Sequence, residues 1–292
     1  MNEIEFLSYN HIIDVFSVLI IIGCIFIFHR ARKIYMSKKQ MPLEIKFPLY
    51  IAITHFLFAI LEIAQTIIYI VCIECRKNAY NIMSHIIGVI LIMNLLLGAT
   101  IAIEVWKILK NNFEVNYSLG KKDYKLWLMA LTVSVIFEFG DEYSQLFGKE
   151  LFFIRFDLVI SFVFFLVTIY CLIRIHIRLN KLDSNIYESD IYNSKKLKFY
   201  ILVFCFQWAF IILYYILRRI TSSFYIVYIY ILAIAIGGLC NVIVFIRNEG
   251  IFYNLGSITQ EETPEINDPE TGTKIPSTEI KQENSLTETV SE

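Results

Sequence analysis

GGLCNVIVFIRNEG, residues 237–250, is an apolar run loosened by two adjacent glycines, interrupted by one amide, Asn241, and closed by Arg247, Asn248 and Glu249. From Ser257 the chain reads SITQEETPEINDPETGTKIPSTEIKQENSLTETVSE, without aromatics and rich in Glu, Thr and Ser. A greasy helix that ends on a cation and passes into a polar tail is how a last span leaves a bilayer, with the arginine at the interface. The composition agrees. Of 292 residues 57% are hydrophobic and 18% charged, and the mean hydropathy is +0.59, too apolar for a soluble domain of this length. The expectation is an all-α membrane protein with no nucleic-acid partner. The net charge of -1 says little, because in such a protein the position of each charge matters more than the sum. The opening MNEIEFLSYN has no basic n-region and the first apolar run no small-residue cleavage site, so the first helix is expected to be its own targeting signal.

A hydrocarbon core about 30 Å thick takes about 20 apolar residues of helix. Apolar runs separated by charge clusters occupy 12–28, 47–72, 81–108, 126–139 with an extension, 151–175, 197–217 and 224–246. They are continuous and do not alternate, which predicts helices and not barrel strands. The chain is thus expected to form a seven-transmembrane helix bundle over residues 12–248. Lysine and arginine give its direction. The first connection holds Arg30, Arg32, Lys33, Lys38, Lys39 and Lys46; the third holds Lys107, Lys110, Lys121, Lys122 and Lys125; the fifth holds Arg174, Arg178, Lys181, Lys195, Lys196 and Lys198. The other side has only Arg76 with Lys77, Lys149 with Arg155, and Arg218 with Arg219. The positive-inside rule then puts the N-terminus outside, as a short extracellular segment 1–11, and the C-terminus in the cytoplasm, where 249–292 is expected to be a disordered acidic Ser/Thr-rich tail. The fourth run is the weakest, since 126–139 rises only about 21 Å as helix. It is expected to cross with its polar extension, because otherwise the cluster from Arg174 to Lys198 falls outside and the charge asymmetry disappears. The sequon Asn116-Tyr117-Ser118 is then inside and unglycosylated.

An ionisable group in a span costs about 2.5–3.5 kcal/mol on insertion scales, so each one points to an interior position and a partner. On the second helix His55, Glu62, Gln65 and Thr66 share one face by spacing, and that face is expected to look into the bundle. Near the outer half lie Glu62, His85, Glu138 and Asp157, bordered by Arg155, Tyr214 and Tyr215. As a group they could hold a cationic or polar ligand; an internal hydrogen-bond network among them is the alternative. Deeper, His55, Asn94, Gln207, Trp208 and Asn241 form the expected polar core, read first as helix-to-helix pairing and second as a switch. Gly98, Gly237 and Gly238 permit close helix approach, and Trp106 and Trp127 suit an aromatic belt. Cys24, Cys171, Cys205 and Cys240 fall inside apolar runs and behave as small hydrophobes; Cys72 and Cys75 stand at a polar edge, as packing or as a disulfide or metal pair. No metal site and no cofactor is expected.

LIIIGCIFIFHRARK (19–33), KFPLYIAITHFLFAI (46–60) and GGLCNVIVFIRNEG look like the first, second and seventh helices of the cyclic-AMP-receptor-like group of G-protein-coupled receptors found in amoebae and fungi. The matching residues are Pro48 and Tyr50 at the start of the second helix, and Gly238, Asn241, Phe245, Arg247 and Asn248 in the last. The resemblance loosely covers 12–248. It departs at His55, where such receptors often carry an acid, and in 140–150, which lacks the cysteine of the usual outer disulfide. It implies a plasma-membrane receptor for an unknown extracellular ligand, coupled to a heterotrimeric G protein. On that resemblance Glu104 and Lys107 stand where such receptors gate the cytoplasmic cleft. Lys195, Lys196 and Lys198, entering the sixth helix, with Arg247, would meet the G protein. Topology alone, or attraction to anionic lipid, accounts for the same basic loops.

Other classes fit less well. A retinal-binding pump needs a Schiff-base lysine in the last helix, and 224–246 has none. The histidines and acids form no HExxH or comparable spacing, so no enzyme is expected. A small transporter or channel also buries charged residues, but the chain has no internal repeat and no pair of Pro-broken helices.

Overall fold

The computed structural model describes residues 3–39, 41, 43–71, 76–111, 123–146, 156–181, 188–221 and 224–249. They form seven α-helices: α1 (Glu3–Lys38), α2 (Leu43–Val71), α3 (Arg76–Lys110), α4 (Asp123–Leu146), α5 (Phe156–Leu179), α6 (Glu188–Ile220) and α7 (Val227–Glu249), the last entered through a 3-10 turn, Phe224–Ile226. All but α4, six in number, are long and apolar enough to cross a membrane, which makes the chain a multi-pass membrane protein. Cys72, Cys75, Arg155, the sequon at Asn116 and the tail from 250 lie outside the described residues.

Several helix ends differ from the apolar runs, for one reason: a polar residue ends a lipid-compatible run without ending a helix. No Pro or Gly interrupts 3–11, so α1 continues through the segment expected to be a short extracellular terminus. α2 begins four residues before the run at Phe47, which brings Pro48 inside the helix; there it removes one bond to the carbonyl four residues back. α4 runs on through Gly140, Asp141 and Glu142 to a total of 24 residues, or about 36 Å. Length therefore does not keep α4 out of the spanning set; its charges do, with Asp123, Lys125 and Glu138 all near its central run.

Side-chain contacts relate neighbouring helices to one another. Thr66 meets Asp14 and Phe28 meets Phe56, so α1 and α2 are antiparallel. Gln65 meets Ser84 and Thr54 meets Asn94 for α2 and α3; His85 meets Glu138 for α3 and α4; Lys196 meets Glu249 and Tyr214 meets Tyr230 for α6 and α7. α1 and α7 are parallel and close the ring, Gly23 lying on Val242 and Gly238 on Ile20. α3 runs through the middle, packed on α2, α4, α5 and α6, and is the most buried helix.

This alternation gathers the basic residues at one end. Arg30, Lys46, Lys107, Lys125, Arg174, Arg178, Lys196, Lys198 and Arg247 all belong to helix ends that meet there, as the contacts of Lys46 with Asp123 and Lys196 with Glu249 require. We call it the basic end. α4 meets Lys46 through Asp123 at that end and His85 through Glu138 farther along. The outer surface is apolar: on α1, Val15, Val18, Leu19, Ile22 and Ile25 are exposed at helical spacing, and on α4, Leu128, Met129, Leu131, Val135, Ile136 and Phe139 are. Patches of that extent are stable only against lipid or another apolar surface.

Candidate functional site

The polar core joins α2, α3 and α6. Asn94 on α3 donates to Thr54 Oγ1 on α2 at 2.7 Å and accepts from Trp208 Nε1 on α6 at 3.3 Å. One amide thereby joins three helices. Thr54 in turn donates to the Ile51 carbonyl at 2.8 Å, and His55 Nδ1 lies 2.8 Å from the same carbonyl. A carbonyl can only accept, so Nδ1 carries a proton. Nε2 is buried without a hydrogen-bond partner and borders a cavity of about 10 Å³ shared with Thr54, Phe58, Asn94, Gln207 and Ile234, room for about one water.

Two glycines let this core close. A Cβ at Gly98 would enter the Phe204 ring, and one at Gly237 would enter the Gln207 amide. Asn241 donates to the Pro48 carbonyl at 3.4 Å and ties α7 to α2. His55, Asn94, Gln207, Trp208 and Asn241 are all buried. The first three line one cavity, Trp208 joins them through its bond to Asn94, and Asn241 stands apart, nearer the basic end.

The expected ligand cup is dispersed. His85 Nδ1 and Glu138 Oε1 pair at 3.1 Å between α3 and α4, in a niche opened by Gly88, where a Cβ would overlap the carboxylate. Glu62 points the other way, into a second cavity of about 10 Å³ between α1, α2 and α7. The side chain of Asp157 lies outside the described residues, although its backbone opens α5. The face carrying His55, Glu62, Gln65 and Thr66 is buried as a whole, but its members fan out. His55 meets the α6 side, Gln65 donates to Ser84 on α3 at 3.1 Å, and Thr66 donates to Asp14 on α1 at 3.1 Å. Arg218 donates to the Tyr214 hydroxyl at 2.7 Å, and Tyr214 packs on Tyr215 and Tyr230.

At the basic end the charges are paired across helices. Lys46 and Asp123 join α2 to α4 at 3.0 Å, and the Tyr50 hydroxyl donates to the same carboxylate at 2.5 Å. Lys196 and Glu249 join α6 to α7 at 3.0 Å. Glu104 and Lys107 pair within α3 at 2.9 Å, an exposed contact worth under about 1 kcal/mol. Lys198 donates to His176 Nδ1 at 2.7 Å, Arg174 lies over Trp106 at 5.0 Å, and Arg247 lies over Phe199 at 5.7 Å. Lys195 is exposed.

Sequence reasoning did not single out Asp14, Ser17, Thr54, Asp123 or Glu249. A signal existed for some: Lys46 and Tyr50 stand one helical turn apart and so offer one face to an acid. Among the described residues no three His, Cys, Asp or Glu side chains gather to hold a metal, and Cys24, Cys171, Cys205 and Cys240 are free thiols. Compared with protein-family models and with curated proteins, the chain matches none.

Proposed function

We propose that the chain is a receptor-like signalling protein of the plasma membrane, with seven crossings, its N-terminus outside and its basic end in the cytoplasm. An extracellular ligand shifts the bundle between two packings, and the basic end then opens to a heterotrimeric G protein. The observation that carries the reading is the Asn94 junction. Thr54, Asn94 and Trp208 couple α2, α3 and α6 midway between the two ends, and α6 reaches the basic end held to α7 by Lys196 and Glu249. A shift of α6 at the junction would strain that ion pair. The apolar outer face of α4 and its reach across the bundle support the fourth crossing; the gathering of lysine and arginine at one end supports the orientation. The alternative is a small transporter or channel, and the two cavities described, each holding about one water, do not favour a path through the bundle.

The test needs no ligand. Glu249→Ala frees Lys196 and should raise basal guanine-nucleotide exchange on a co-reconstituted G protein, about threefold if the pair is worth about 0.7 kcal/mol. Lys195→Glu with Lys196→Glu should abolish exchange. Exchange at background in wild type and in Glu249→Ala, together with solute flux into proteoliposomes lacking any G protein, would favour transport.

A further inference from the structure

On α5 the residues Phe162, Leu166, Tyr170 and Arg174 follow one another at four-residue spacing and form a single stripe. All four are exposed on the outside of the bundle. The stripe rises about 18 Å, close to the roughly 15 Å of hydrocarbon in one leaflet, and it finishes at the basic end. A cation at such a place ordinarily stretches toward water. Here the guanidinium lies 5.0 Å from the ring centroid of Trp106 on α3 and 6.0 Å from that of Tyr170, one turn back along α5. Contacts with ring faces leave its N–H groups unused: among the described residues Arg174 makes no hydrogen bond and no ion pair. Two more cations stand beside it. Arg178, one turn on, donates from Nε to the Leu109 carbonyl at 3.4 Å, which brings it to the end of α3. Lys110, the next residue there, is exposed and has no partner among the described residues. No acid occurs between 158 and 181, and Glu104 near the end of α3 is paired with Lys107.

We propose that this stripe is the docking site of one anionic phospholipid from the leaflet at the basic end. Its phosphate meets Arg174, its headgroup lies near Arg178 and Lys110, and an acyl chain runs along Tyr170, Leu166 and Phe162. A guanidinium matches phosphate oxygens with two parallel N–H bonds. Three cations without an acid favour a headgroup of net negative charge over a zwitterionic one. The positive-inside rule accounts for lysine and arginine in connections, but Arg174 lies within the span Ser161–Leu179, on its outward face. A soluble partner meets the end of the bundle and cannot reach Leu166 or Phe162, about 12 and 18 Å farther along the helix. A second copy related by a two-fold axis would set these cations against their own kind. A bound lipid would fasten α3 to α5. The inference goes beyond the receptor reading and does not depend on it, because a transporter would carry the same stripe.

The experiment places the purified full chain in phosphatidylcholine nanodiscs and follows its tryptophan fluorescence, Trp106 lying beside the headgroup position, as brominated phosphatidylserine or brominated phosphatidylcholine is added. Phosphatidylserine should be preferred about tenfold, and Arg174→Gln and Lys110→Gln should each reduce that to about twofold, the change that about 1 kcal/mol per basic residue implies. Arg174→Lys keeps the charge without the planar fork and should fall between. Arg32→Gln removes the same charge from an exposed position on α1, which does not pack on α5, and should leave the preference intact. Lys110 is exposed in the last turn of α3, so its variant serves if Arg174→Gln does not fold. Equal quenching by the two lipids in wild type overturns the proposal. So does a fall as large in Arg32→Gln, which would mean attraction to the whole basic end and no site. Quenching by neither lipid, the result expected if a second copy covers the stripe, overturns it as well. No readout involves nucleotide exchange, so failure here leaves the receptor reading to its own test.

Discussion

Trp208→Ala is expected to destabilise the bundle by about 3–5 kcal/mol, the range for removing a fully buried tryptophan. Among the described residues Trp208 is the largest fully buried side chain, at 1% exposure, and it packs against Phe204 with ring centroids 6.2 Å apart. In lipid the usual hydrophobic drive between helices is absent, so helix association rests on close packing and interhelical hydrogen bonds. Trp208 supplies both. Its removal leaves a void between α3 and α6 and strips Asn94 Oδ1 of its donor. Most of the loss is packing, because a single interhelical hydrogen bond in lipid averages only about 0.6 kcal/mol. Trp208→Phe, which keeps a ring and loses the N–H, should therefore cost far less than Trp208→Ala. Equilibrium unfolding in mixed micelles checks the pair. A loss under about 1 kcal/mol for Trp208→Ala would mean that α3 and α6 do not meet at this side chain.

Gly237→Ala is the second large effect, and it can be reversed. The added Cβ would overlap the side-chain amide of Gln207; both residues are buried, and the only space described beside the amide is the cavity of about 10 Å³ it shares with His55. Overpacking of this kind costs about 1–3 kcal/mol. Gln207→Ala alone removes a buried amide and leaves a gap; in the double variant the methyl introduced at position 237 fills part of it. The double-mutant cycle should then show a favourable coupling of about 1–2 kcal/mol. Gly238→Ala provides a contrast, because its neighbour is Ile20 on α1 and not α6; its penalty should be unaffected by Gln207→Ala. Additive penalties for Gly237 and Gln207 would contradict the α6–α7 contact described above.

The adjacent glycines show how far the sequence can be read. That both permit close approach is legible from an apolar helix interrupted by residues of no volume. That Gly237 admits α6 and Gly238 admits α1 depends on the direction of each Cα–Cβ vector in the assembled bundle. The same limit applies to the second helix. Spacing alone puts His55, Glu62, Gln65 and Thr66 on one buried face, but α2 touches α1, α3, α6 and α7 along that face, and each residue meets a different neighbour. His85 and Glu138 pair because Gly88 leaves a niche between them, and nothing in the order of residues links position 88 to position 138. Helix number is accessible because apolar length is dictated by bilayer thickness. Helix ends are less so, as Glu3 to Asn10 and Gly140 to Leu146 are polar enough to leave lipid and still helical. Asp14 and Ser17 escape notice for a related reason: near the edge of an apolar run a polar residue reads as its boundary.

The reading of the chain as a receptor rests on an odd number of crossings with the basic end in the cytoplasm, and α4 is the helix on which that number turns. Epitope tags at the two termini, stained in intact and in permeabilised cells, measure it directly. The account predicts that the amino-terminal tag is reached on intact cells and the carboxy-terminal tag only after permeabilisation. Both tags reached under the same condition would make the number of crossings even, and would contradict the account at its base.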